Sequence, residues 1–303
     1  MCSLRGLRIN GSRSGMIRSP MYLFAALLPG LGIVACADAQ SAPSGGLRQY
    51  DLSGTPSARI ELPAELAEVS GLAYTADGRL LAHGDEQAVI YQIDFPAGGV
   101  VKRFTIGDAG GPLLGDFEDI QVVGDRIFLV TSAGELVEAR EGADGATVPV
   151  VRRTRGVDGA CEVEGMSWEE SSSTMLLLCK ETKGKRWKDQ LVILAVNPAT
   201  GAFEPEPRLT VPQTELQRAT GAKKFSGSAM VRHPRTGNLI LVAGPQHAFA
   251  EIDSAGKVLG GGLLVEARHR QPEGLAIAPD LTLLISDEAA KGTATITGYA
   301  SRR

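Results

Sequence analysis

The chain has 303 residues, 43% of them hydrophobic and 37 of them glycine, which supplies a packed core and many turns and excludes a disordered chain. Its 31 basic and 35 acidic side chains leave a formal net charge of -4, so no basic field draws it to nucleic acid.

The first predicted element is an export segment. Arg18 precedes an apolar run from Met21 to Cys36, MYLFAALLPGLGIVAC, which is too short and too broken by glycine and proline to span a membrane comfortably. Residues 1–39 read as a signal peptide, with Met16 or Met21 as alternative starts because the positive charge belongs close to the apolar segment. Two processing routes stand side by side. Ile33-Val34-Ala35-Cys36 has the form of a lipobox, which would lipidate Cys36 and anchor the protein to a membrane. Ala37-Asp38-Ala39 before Gln40 has the small-x-small form of ordinary signal cleavage. Either route exports the mature domain, to the periplasm or to the outer membrane as a lipoprotein. Residues 40–57, opening with QSAPSGG, read as a flexible tether.

From Ala58 onward the chain is organised by a repeat. A short motif recurs as Glu68-Val69-Ser70-Gly71-Leu72, Asp116-Phe117-Glu118-Asp119-Ile120, Glu162-Val163-Glu164-Gly165-Met166, Lys224-Phe225-Ser226-Gly227-Ser228 and Gln271-Pro272-Glu273-Gly274-Leu275. The fourth positions are spaced by 48, 46, 62 and 47 residues, a length that holds four short strands and their turns. Each motif leads to a turn such as Ala76-Asp77-Gly78 and then to an apolar strand of the type LILVA or TLLIS, and a third strand such as LVILAVN or AFAEID follows. Only Gln213 to Ala222, inside the longest interval, suggests a helical turn. The last unit holds three strands, and the segment Ala58–Leu62 precedes the first motif without a partner. Pairing the two closes a ring and removes an open sheet edge. The expected fold is therefore all-β, a five-bladed β-propeller of four-stranded antiparallel blades over residues 58–303, closed by an N-terminal strand.

In an exported domain the two remaining cysteines, Cys161 and Cys179, meet conditions that permit a disulfide. They flank a hairpin turning at Glu169 to Ser173, which sets them almost opposite or one register step apart. A bond and two buried thiols are both compatible with that spacing.

With these motifs in order, the sequence resembles the SdiA-regulated family of bacterial propeller proteins over about residues 58 to 300. The likeness is carried by DFEDIQVVGDRIFLV, by CEVEGMSW followed by LLLCKE, by FSGSAMVRHPRTGNLILVA, and by QPEGLAIAPD followed by LLISDE. It implies five blades, an exported and often anchored location, and a calcium site, without a known reaction. Gly244-Pro245-Gln246 and Ser132-Ala133-Gly134 stand where relatives tend to carry more polar loops, which puts part of the ligand set in question.

The first strand of each blade lines the channel, so the motifs would present Ser70, Glu118, Glu164, Ser226 and Glu273 around one axis. Three converging carboxylates repel one another, and a Ca2+ ion with hydroxyls, carbonyls and waters would relieve them; hydrogen bonds from neighbouring blades are the alternative. No His and Cys cluster has zinc-like spacing. A second acidic set, Asp85-Glu86, Lys180-Glu181 and Asp287-Glu288, either joins these ligands or solvates the rim, and solvated turns are the favoured expectation. The basic run Lys180 to Lys188 with Trp187 is either a solvated hairpin tip or a place for an anion or lipid headgroup. None of His83, His233, His247 and His269 pairs recognisably with a nucleophile. The expected function is a calcium-binding scaffold or binding module at the cell envelope, with a small molecule or an envelope protein as ligand. The alternative is a calcium-dependent phytase-like or esterase-like hydrolase.

Overall fold

A computed structural model describes residues 45–157 and 159–302. The segment expected to direct export, with Met16, Met21 and Cys36, lies outside the described residues. The described chain is a five-bladed β-propeller whose blades run from the channel outward in antiparallel order, with Thr147–Val148 added in parallel at the outer edge of blade one. Blade one comprises Val69–Tyr74, Leu80–Gly84, Val89–Ile93 and Val100–Asp108, and blade two comprises Phe117–Val123, Arg126–Thr131, Leu136–Arg140 and the short Arg152–Arg153. Blade three comprises Cys161–Glu169, Thr174–Thr182 and Gln190–Asn197, with Ala202–Phe203 and Leu209–Pro212 sharing its outer edge. Blade four comprises Ala229–Arg232, Leu239–Ala243, Ala248–Ile252 and Val258–Leu263. Blade five comprises Pro272–Ile277, Leu283–Asp287 and Thr295–Tyr299, and Ala58–Glu61 is its fourth strand. That closure is the expected one, with Ala58 opposite Gly298 and Glu61 opposite Thr295. A helix, Gln213–Thr220, fills the longest interval and ends on left-handed Gly221.

The second strands of the blades read as unbroken apolar runs because each blade is covered on both faces by its neighbours. In Leu239–Ala243 every residue is buried. Apolar clusters occupy the successive blade interfaces: Leu81, Phe104 and Ile120 between blades one and two, Phe128, Met166 and Leu177 between two and three, Leu178, Phe225 and Leu241 between three and four. Leu66, Leu80 and Leu284 fill the junction of blades five and one.

The interface of blades four and five departs from the sequence expectation. Residues 45–57, predicted as part of a flexible tether, pack onto the propeller, and Leu47, Tyr50 and Leu52 join Val242, Leu275 and Leu283 in the core. The physical reason lies on the partner side. The buried Glu251 carboxylate accepts the N–H groups of Gly46 at 2.6 Å and Leu47 at 3.0 Å, together with the side-chain amide of Asn238 at 2.6 Å. A buried charge with three donors has the partners it needs, and the chain that donates is held.

Cys161 and Cys179 form a disulfide, with Cα atoms 5.7 Å apart. They are not opposite in the ladder: Cys161 faces Thr182 and Cys179 faces Val163, with irregularities between.

Candidate functional site: an acidic channel mouth

The repeated motif produces a repeated backbone irregularity. In blade one Val69 pairs with Gly84 and Gly71 with His83, which leaves Ser70 as an extra residue. Blade two skips Glu118 between Phe117 and Asp119, blade three skips Glu164 between Val163 and Gly165, and blade five skips Glu273 between Pro272 and Gly274. A bulge of this kind re-aims one side chain out of the ladder. The same bulge in four blades turns Ser70, Glu118, Glu164 and Glu273 into one recess at the start of the inner strands. The glycine that follows has its own cause. A Cβ on Gly71 would stand 2.8 Å from the Ile120 nitrogen, and one on Gly165 would stand 3.0 Å from the Met230 nitrogen, so the inner strands approach too closely for a side chain.

Four of the five expected residues therefore meet at the channel mouth, a recess of about 240 Å³. Ser226 does not line it. Blade four begins its inner strand only at Ala229 and has no such bulge, and the buried Ser226 donates its N–H to Gln246 at 2.8 Å. Ser228, two residues on, hydrogen-bonds Glu273 instead.

Residues whose side chains were expected in solvated turns complete the mouth. Asp85, Lys180 and Glu288, each at the end of a second strand, face the bulged residues, and Asp116 and Glu162 stand beside them. Among the described residues the mouth thus gathers seven carboxyls and one ammonium. Lys180 belongs to the strand Thr174–Thr182 and not to the basic hairpin tip that follows it. Its Nζ donates to Glu164 Oε1 at 2.9 Å and stands 3.8 Å from Glu162 Oε1. Glu181 instead points outward to Lys224. Asp287 is buried beneath the rim, where it meets His269 Nδ1 at 2.8 Å while His269 Nε2 meets the Tyr299 hydroxyl at 2.7 Å. At the hairpin tip Arg186 pairs with Glu206 and lies over the Trp187 ring at 4.8 Å.

Crowding and burial set the electrostatics. Burial, the charge of Glu164 and the charge of Asp116 push the Glu118 carboxyl up to about 9. Burial pushes Glu164 up to about 8 against the lowering effect of Lys180, and burial with the charge of Glu273 takes Glu288 to about 7. Glu273 and Asp85 are raised by burial as well. Burial alone would lower Lys180, but its hydrogen bond to Glu164 and the neighbouring carboxylates outweigh that and raise it. An excess of negative charge favours bound protons on acid and base alike.

Among the described residues that line the mouth, every side-chain acceptor is an oxygen. As the side chains stand, no group of three His, Cys, Asp or Glu residues among those described is gathered for a metal ion. At the other end of the inner strands the channel opens between Met166, Trp168 and Leu275 with Gln121, Ser167 and Arg232, so that end mixes apolar and polar groups and lacks the mouth's crowd of carboxyls.

No protein-family model and no curated protein sequence matches the chain. Solved structures share its fold. Glutaminyl cyclase of Myxococcus xanthus is 13% identical, with a TM-score of 0.55, over 81% of this chain and 94% of its own. The PQQ-bound aldose sugar dehydrogenase of Streptomyces coelicolor is also 13% identical, with a TM-score of 0.50, over 81% of this chain and 99% of its own. At that identity the likeness is one of fold alone.

Proposed function

We propose that the protein is an exported binding propeller of the cell envelope that takes up a cation, calcium, at its acidic channel mouth. The observation that carries this reading is the imbalance at the mouth, seven carboxyls against one ammonium, with Glu118 and Glu164 lifted to about 9 and about 8. A cation relieves such repulsion, and calcium takes six to eight oxygen ligands in flexible geometry. The chemistry of the donor set suits it. Glu118, Glu164, Glu273 and Ser70 would hold the ion once their oxygens draw closer together. The resemblance to the SdiA-regulated propellers supports the same ion and the same location. The scarcity of basic groups argues against a phosphate-ester hydrolase, which needs cationic residues beside its metal.

The first described residues lie at the end of the ring remote from the mouth. Gly46 lies against the His233 ring and Gln49 accepts the Arg302 N–H, both at the hairpin-turn end of the blades, away from the acidic mouth. Calorimetric titration of the chelator-treated protein with calcium tests the reading. Binding by the wild type that is lost in both Glu164→Gln and Glu273→Gln supports it, and a wild type that binds no calcium ends it.

A further inference from the structure

Lys180 stands among the carboxyls that the cation reading employs. Its ammonium donates to Glu164 Oε1 at 2.9 Å, while Glu162 lies 3.8 Å away on the other side. No other basic side chain lines the mouth among the described residues. Its position is fixed twice over. Cys179, the preceding residue, is bonded to Cys161, and the bulge on the facing strand presents Glu164 to it. The backbone is therefore pinned, whereas the four-carbon stem is flexible and the side chain is 27% exposed, so the ammonium has a way out to solvent.

We infer that Lys180 is a tethered counter-ion of the channel mouth, an internal occupant that a soluble cation must displace from Glu164 before it binds. The inference rests on the cation-binding reading above and adds its regulation. A lysine that is part of the chain competes at a fixed effective concentration, so it lowers the apparent affinity for every cation. It also sets a threshold: a divalent ion, which draws on several carboxylates at once, displaces the ammonium more readily than a monovalent one does. An empty mouth is then self-neutralised around Glu164, and binding is coupled to the outward swing of one side chain.

The test compares wild type with Lys180→Met, which keeps the length of the stem and removes the charge. Calcium chloride is titrated calorimetrically into each chelator-treated protein, and the lysine Nζ resonances of the 15N-labelled wild type are followed through the same titration. The expected result is at least tenfold tighter calcium binding by Lys180→Met, with the Lys180 resonance moving to the position of solvated lysines as the wild type saturates. Equal or weaker binding by a folded Lys180→Met overturns the inference and leaves the cation reading intact. A Lys180 resonance unmoved at saturation overturns it independently of the variant. If neither protein binds calcium, the cation reading itself has failed and the displacement falls with it.

Discussion

The carboxylate of Asp119 in blade two accepts the N–H of Met166 in the inner strand of blade three at 2.6 Å. Asp119 is buried, its other oxygen accepts the Ile120 N–H at 2.8 Å, and burial raises it well above the ordinary carboxylate range. It occupies the motif position that is glycine in the other blades, so this junction is fastened by a side chain where Gly71, Gly165 and Gly274 instead admit the backbone of a neighbouring inner strand. Asp119→Ala leaves two buried N–H groups without acceptors, and we expect a loss of about 2–6 kcal/mol at about 1–3 per unsatisfied group. Urea denaturation measures it, and a loss below about 1 kcal/mol would show that the junction does not depend on this contact.

The mouth carboxyls predict an unusual pH profile. Glu288, Glu164 and Glu118 have folded-state values of about 7, 8 and 9 against an ordinary 4.5, so the folded protein holds more protons than the unfolded chain between those limits. Stability from these groups is present at low pH and declines as pH rises through that window. The chelated protein should therefore melt at a lower temperature at pH 9 than at pH 6, with calcium restoring part of the loss at pH 9. Glu118→Gln should flatten the profile, and a flat wild-type profile would contradict the assignment.

Glu251 predicts a role for the segment before the first strand. Glu251→Ala strands the N–H groups of Gly46 and Leu47 in the interface of blades four and five, so scanning calorimetry should show a clear fall in melting temperature. Deleting residues 1–53 should lower it further by removing Leu47, Tyr50 and Leu52 from the core. A truncated protein as stable as the full chain would mean that the segment is a tether after all.

Reduction probes blade three. The bond between Cys161 and Cys179 closes a separation of 18 residues, for which the chain-entropy account gives about 3 kcal/mol. Urea midpoints with and without dithiothreitol read the difference. Cys161→Ser/Cys179→Ser should match the reduced protein, and reductant should leave that variant unchanged.

The five-fold repeat, the apolar second strands and the orphan segment at Ala58 were enough to define the ring and its closure, because strand period and turn chemistry are local and a propeller repeats them. Glu118, Glu164, Glu273 and Ser70 were legible as a set for the same reason: they hold one motif position. The rest depended on contacts between residues far apart in the chain. The bulge that turns each motif residue into the channel is a matter of register between strands. The place of Lys180 in the mouth follows from the length of its strand, which passes beyond the disulfide where the run of charges suggested a loop. Ser226 shares the motif but lacks the bulge, and residues 45–57 have the composition of a linker yet are held by Glu251, more than 200 positions away. Composition reports what a segment can do by itself, and only the folded ring supplies the buried charge and the neighbouring blade that decide where it lies.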